Sequence, residues 1–213
     1  MEKMKEIKEM DTFRTYEIIV FDMDGTLYEL DGESGTFKNS TLSRSVISNS
    51  VDFVIGRENC DRNFAEILIE KAQKDSIGIS NVLSKRYGIT RAAYFDIAWN
   101  IDPKKVIKNF EIPKLAIQKL RGDGKRLFLL TAAPRVWMKN VVKELDLDGH
   151  FERKYHGEMF GPKTEIFESL AKEFDPKTIL SIGDQFETDL RPAINLGMSI
   201  LEIKKPNDIK KLI

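Results

Sequence analysis

A single cysteine, Cys60, in 213 residues excludes an intramolecular disulfide and argues against a secreted, disulfide-stapled scaffold. Two histidines, His150 and His156, beside that lone thiol offer too few soft ligands for a zinc centre. No apolar run approaches the roughly 20 residues of a membrane span. Excess charge is also missing: 34 basic and 34 acidic residues leave a net charge of zero, so electrostatics gives no case for nucleic acid or a membrane surface as partner. Neither an internal repeat nor a low-complexity linker is present.

What is present describes a globular protein, with 41% apolar and 32% charged residues and length enough for one large domain or one domain carrying an insert. The opening MEKMKEIKEMDTF is too charged for a signal peptide, so a cytoplasmic location is the expectation. The Lys-rich ends, Met1 to Lys8 and Ile203 to Lys211, read as solvated amphipathic termini.

The informative stretch is Ile18 to Leu27, IIVFDMDGTL. A short apolar run halted by a turn signal reads as a buried parallel strand, and ligands of such sheets gather beyond the carboxyl ends of strands. Asp22 and Asp24 emerge there. Two carboxylates two residues apart can act on one centre, one as nucleophile and one as proton donor and acceptor, provided a cation screens their repulsion. Gly25 allows the turn and Thr26 can brace it. The competing reading is an ordinary acidic turn in which Asp24 or Thr26 caps the next element.

From Ser40 to Phe110 the pattern is helix upon helix. Leu42, Val46, Val51 and Val54 form a stripe; Asp61 caps a helix with Phe64, Ile67, Leu68 and Ala72 on one face; Gly88 closes a short helix carrying Val82, Leu83 and Tyr87. Thr90 opens another with Tyr94, Ile97, Ala98 and Ile101, and Asp102-Pro103 is a cap-plus-N1 signature for one more. Strands then alternate with helices: Arg126 to Leu130, Arg153 to His156, Thr178 to Ile182 and Ser199 to Ile203. The expected fold class is therefore α/β, a Rossmann-like doubly wound parallel sheet with an inserted helical cap. Residues 1–30 and 112–213 are assigned to the core domain and 31–111 to the cap.

Three later sites belong with the first. Thr131 ends a strand just before a helix, where its hydroxyl and the N–H of Ala132 could hold a phosphate, or simply cap. Lys163 follows Gly-Pro at a helix start, an unfavourable place for a cation unless an anion is near; a solvated lysine is the alternative. In SIGDQFETDL, Asp184 sits at a strand end and Asp189 enters a helix, hard oxygen ligands of the kind magnesium takes, or else helix caps.

FDMDGTL, the threonine ending RLFLLT, a lysine at the next helix start and GDQFETDLRPAINLGM resemble, in order and spacing, the four motifs of the haloacid dehalogenase-like (HAD) superfamily of phosphohydrolases. The resemblance covers residues 16 to 27 and 113 to 203. It implies an aspartyl-phosphate intermediate and Mg2+, with Asp22 as nucleophile and metal ligand. It makes Asp24 the general acid/base and a metal ligand through its carbonyl. Thr131 and Lys163 then bind the phosphoryl group together with Gly25, Thr26 and Ala132; Lys163 is counted with the catalytic groups, Asp184 is a metal ligand, and Asp189 supports the site. Leu27-Tyr28 and KRYGI at Lys85 to Ile89 look like the phosphoglycolate phosphatase and pyrimidine 5′-nucleotidase branch. The expected function is hydrolysis of a small-molecule phosphate ester by a monomer or small homo-oligomer. A phosphomutase of the β-phosphoglucomutase type, a nucleotide-specific 5′-nucleotidase and a non-catalytic binding protein are the alternatives. A carboxylate at Asp24 argues against a dehalogenase, which needs no such acid.

Overall fold

The structure, a computed structural model, describes residues 15–33 and 37–213. Five parallel strands form the central sheet: β1 (Ile18–Phe21), β4 (Arg126–Leu130), β5 (Arg153–Tyr155), β6 (Ile179–Gly183) and β7 (Ser199–Glu202), in the order β5-β4-β1-β6-β7. Pleating sends alternate side chains to opposite faces. Ile19, Phe21, Leu127, Leu129, Leu180 and Ile182 pack in one cluster, and Ile18, Val20, Phe128, Leu130 and Ile179 in another. Because both faces are covered, the three inner strands β4, β1 and β6 are nearly all apolar, with Ser181 a buried polar exception. Each fully buried side chain contributes about 1.5–3 kcal/mol.

Helix α5 (Glu111–Gly122) buries Ala116, Ile117 and Leu120, and helix α6 (Arg135–Glu144) buries Trp137, Met138, Val141 and Val142, both within the first cluster. Helix α7 (Thr164–Glu173) covers the other face through Phe167 and Leu170. After β6 the chain makes a π-turn, Phe186–Leu190, and the five-residue helix α8 (Arg191–Asn195). The Lys-rich C-terminal stretch is not a solvated tail: Ile203, Ile209 and Leu212 are buried, and the 3-10 segment Pro206–Leu212 packs on α5. The corresponding reading of Met1 to Lys8 lies outside the described residues.

Between Leu30 and Glu111 four helices follow one another: α1 (Thr41–Glu58), α2 (Arg62–Lys74), α3 (Gly78–Tyr87) and α4 (Arg91–Ala98). Their starts follow the sequence signals. Ser40 accepts the Ser43 N–H at 3.0 Å, Asp61 that of Phe64 at 2.8 Å and Thr90 that of Ala93 at 3.1 Å. Gly88 closes α3 in the left-handed conformation.

Three local expectations are corrected. Phe64 and Ile67 are exposed; Ala72 is buried as expected, but the residues buried with it on α2 are Ala65 and Ile69. Asp102 and Pro103 do cap and start an element, but it is a single 3-10 turn, Pro103–Lys105. Val106 closes that turn, and the β-branched Ile107 enters a strand. The helical segment is also not strandless at its base, since β3 (Ile107–Lys108) pairs antiparallel with β2 (Glu29–Leu30). This ribbon brings the two ends of the segment together above the sheet. Packing of α4 on α6, with an Arg135–Asp96 ion pair at 3.4 Å, joins the segment to the sheet layer.

Candidate active site

Asp22, Thr131 and Asp184 each follow the last residue of a parallel strand, so the register of β1, β4 and β6 alone brings them to one edge. Asp22 is held there by its own N–H donating to Ile182 at 2.9 Å, and Thr131 by its N–H donating to Tyr155 at 3.0 Å. Lys163, 141 residues from Asp22 in sequence, completes the group from the start of α7. It is 8% exposed, and its ammonium lies 2.5 Å from Asp22 Oδ1 and 2.7 Å from Asp189 Oδ1. The anions that make a cation tolerable at a helix start are these two carboxylates.

The other oxygen of Asp22 accepts from Thr26 Oγ1 at 3.1 Å. Asp24 Oδ1 accepts from the Tyr28 hydroxyl and from the Trp137 indole N–H at 3.2 Å, while Oδ2 faces the Thr131 hydroxyl at 3.5 Å. Thr131 Oγ1 also accepts the Ala133 N–H at 3.0 Å, so it braces its own turn as well as reaching the acids. Ala132, next along, is exposed in the cleft. Behind it a β-carbon on Gly157 would sit 2.1 Å from the Ala132 carbonyl oxygen, so only glycine lets the β5 loop press the Ala132 peptide into place. The sequence reading did not single out Tyr28 as a partner of Asp24, nor Trp137 or Gly157 at all.

Asp189 has both oxygens engaged: Oδ1 by Lys163 and Thr188 Oγ1, Oδ2 by the Gln185 N–H at 3.1 Å. Asp184 differs. Its Oδ1 is buried without a hydrogen-bond partner. One carboxylate oxygen each from Asp22, Asp184 and Asp189 lies within 4.8 Å of the others. Gly25 sits directly beneath this cluster with φ +81°, where a β-carbon would approach Asp184 Oδ2 to 2.4 Å.

Four carboxylates around one lysine leave excess negative charge. Burial, helped by Asp189 and opposed by Lys163, pushes the Asp22 carboxyl up to about 8. Burial also raises Asp24, against hydrogen bonds from Tyr28 and Trp137, and raises Asp184 to about 6 with help from the Asp189 charge. Lys163 stays charged, its carboxylate neighbours outweighing its desolvation. A hard divalent cation fits these residues: three carboxylates converge, one with an orphaned oxygen, and burial disfavours the ionised forms of Asp22 and Asp184 until positive charge arrives. The cleft above the acids has two lobes. One of about 320 Å³ runs over Lys163 toward Phe160 and Pro162, and one of about 230 Å³ runs from Asp24 and Asp184 toward Phe37 and Trp99.

The sequence profile of the haloacid dehalogenase-like hydrolases matches residues 16–197. The chain belongs to this family. Among HAD-like relatives of known fold, it resembles a HAD phosphatase from Thermococcus onnurineus with a TM-score of 0.60 at 17% identity, over 88% of this chain and 86% of that one. A HAD family enzyme from Bacteroides thetaiotaomicron, solved as a magnesium complex, gives a TM-score of 0.52 at 24% identity over 91% and 96% of the two chains. In sequence, the chain is 25% identical over 207 residues to a 5′-nucleotidase of Pseudomonas aeruginosa, covering 91% of this chain and 85% of that protein. No described helix is long and apolar enough to cross a membrane.

Proposed function

We propose that this HAD-like hydrolase is a magnesium-dependent phosphomonoester hydrolase that works through an aspartyl-phosphate on Asp22. The observation that carries the reading is the arrangement of Asp22 and Asp24: one carboxylate is paired with a buried lysine, and the other is held by neutral donors in a site that favours its protonated form. The carboxyl beside the ammonium is placed to act as nucleophile, and the one among neutral donors to act as acid. Mg2+, taken by Asp22, the Asp24 carbonyl and Asp184, would supply the positive charge that lets a phosphate dianion approach.

Asp22 attacks the phosphorus, forming the acyl phosphate as the ester P–O bond breaks, and Asp24 transfers its proton to the departing alkoxide. The Asp24 carboxylate then takes a proton from water, whose oxygen attacks the same phosphorus, and the Asp22 carboxylate and inorganic phosphate are released. Lys163, the Thr131 hydroxyl and the Ala132 N–H hold the phosphoryl oxygens, with Gly25 and Thr26 shaping the turn beneath; Asp189 holds Lys163 in position. Residues 1–30 and 112–213 act as the core, and 31–111 as a cap that meets the leaving group. The test is a screen of phosphate esters with and without Mg2+, read as free phosphate. Mg2+-dependent release from p-nitrophenyl phosphate and at least one metabolite ester is expected, and no release from any ester would reject the reading. Isomerisation of a sugar phosphate without net phosphate release would instead identify a phosphomutase.

A further inference from the structure

The lobe of the cleft on the leaving-group side is unlike the phosphate lobe. Among the described residues lining its roughly 230 Å³ there is no lysine, arginine or histidine; its acidic residues are Asp24 and Asp184, and its far wall is Leu30, Phe37 and Trp99. Phe37 and Trp99 are stacked, with centroids 5.2 Å apart and planes within 9° of parallel, and Phe95 meets Trp99 edge-on at 6.5 Å to hold it. Phe37 nevertheless remains 40% exposed. A preformed, partly uncovered aromatic pair opposite the reacting carboxylates is a stacking platform for a flat group, and stacking on aromatic rings tolerates many ring chemistries.

We infer that the substrate is a phosphomonoester whose leaving group carries a planar ring, of nucleobase or aryl type, seated against Phe37 and Trp99, and that Phe37 and Trp99 set this preference. The inference rests on the phosphatase reading above. It assigns the ring a place opposite the reacting carboxyls.

The experiment compares kcat/KM for uridine and adenosine 5′-monophosphates with that for glycerol 3-phosphate and phosphoglycolate, in wild type, Trp99→Leu and Trp99→Phe. Wild type should prefer the ring-bearing esters. Trp99→Leu should reduce that preference about 5- to 150-fold, the range for loss of one aromatic stack, and Trp99→Phe should retain most of it. A wild-type preference for phosphoglycolate, or equal losses for ring and ring-free esters in Trp99→Leu, would overturn the inference. Should Trp99→Leu not fold, wild type decides alone: a nucleoside should inhibit acetyl phosphate hydrolysis competitively at concentrations where ribose does not, and equal inhibition overturns the stack. Failure of the phosphatase reading itself looks different, because acetyl phosphate would then not be hydrolysed by wild type at all.

Discussion

The Tyr28 hydroxyl donates to Asp24 Oδ1, four residues earlier in the chain, and the same oxygen accepts from the Trp137 indole N–H, which also reaches the Tyr28 hydroxyl at 2.9 Å. With Oδ1 saturated by donors, Oδ2 is the oxygen turned toward Thr131 and the cleft. An acid that must deliver its proton in one direction gains from having its other oxygen fixed.

Tyr28→Phe should therefore slow esters with alkoxide leaving groups about 10- to 100-fold, the span of one hydrogen bond to a charged group. p-Nitrophenyl phosphate, whose leaving group needs no proton, should be affected less in its first step. Because the Tyr28 hydrogen bond lowers Asp24, the limb of the pH–rate profile that reports Asp24 should move to higher pH. Steady-state kinetics with the two kinds of ester checks this; equal losses would reduce Tyr28 to packing.

Gly25→Ala should disturb the metal site more than the fold. Its left-handed backbone costs about 1 kcal/mol or more once a side chain is present, and the new β-carbon would displace the Asp184 carboxylate. An apparent Mg2+ affinity weaker by about 10-fold or more is expected from activity titrated against Mg2+. Unaltered Mg2+ dependence would remove Asp184 from the site.

Lys163→Met should be the most destabilising of these changes, because it leaves Asp22 and Asp189 buried without their partner. Breaking such a pair from one side costs about 3–5 kcal/mol. Chemical denaturation without Mg2+ measures it; a loss under about 1 kcal/mol would mean that the ammonium is dispensable to the fold.

The metal-free protein should lose stability as pH rises. Asp22 and Asp184 are raised from 3.8 to about 8 and about 6, so the folded state holds more protons than the unfolded state across that interval. Their contribution is complete below about pH 4, declines through about 6 and is gone above about 8. In EDTA the Tm should fall across this window, and saturating Mg2+ should reverse the fall by binding the ionised cluster, worth about 2.7 kcal/mol at a hundredfold excess over Kd. An EDTA profile that is flat or rises would contradict the assigned shifts.

The strand ends were legible because β1 and β6 announce themselves as apolar runs that stop on aspartate, and the parallel register does the rest. Lys163 was legible as an anomaly, a cation where a helix start disfavours one. Tyr28 and Trp137 were not, since an aromatic residue on an apolar face has the same pattern whether its polar atom meets water or Asp24. The buried face of α2 was misread at Phe64 and Ile67 because their bulk outweighs Ala65 in a hydrophobic count, whereas the structure buries Ala65 and Ile69 beside Ala72. The two-residue ribbon of β2 and β3 has no local signal: its partners lie 77 to 79 residues apart and are fixed by pairing alone.

Asp22→Asn and Asp24→Asn should fail in different ways, because the two carboxylates serve different steps. Without Asp22 no covalent intermediate forms, every ester should be inert, and no phosphate should attach to the protein. Without Asp24 the nucleophile remains, so the loss depends on the leaving group. Alkyl esters should slow by about 10²- to 10⁴-fold, the span of general acid–base catalysis. p-Nitrophenyl phosphate should still phosphorylate Asp22, since nitrophenolate departs unaided, but the second step then lacks its base. A burst of nitrophenol followed by slow turnover is expected, with the phosphoryl group retained on the protein and visible by intact-protein mass spectrometry. Equal losses for good and poor leaving groups, with no retained phosphoryl, would make Asp24 a structural residue and leave the proton to be carried by another group.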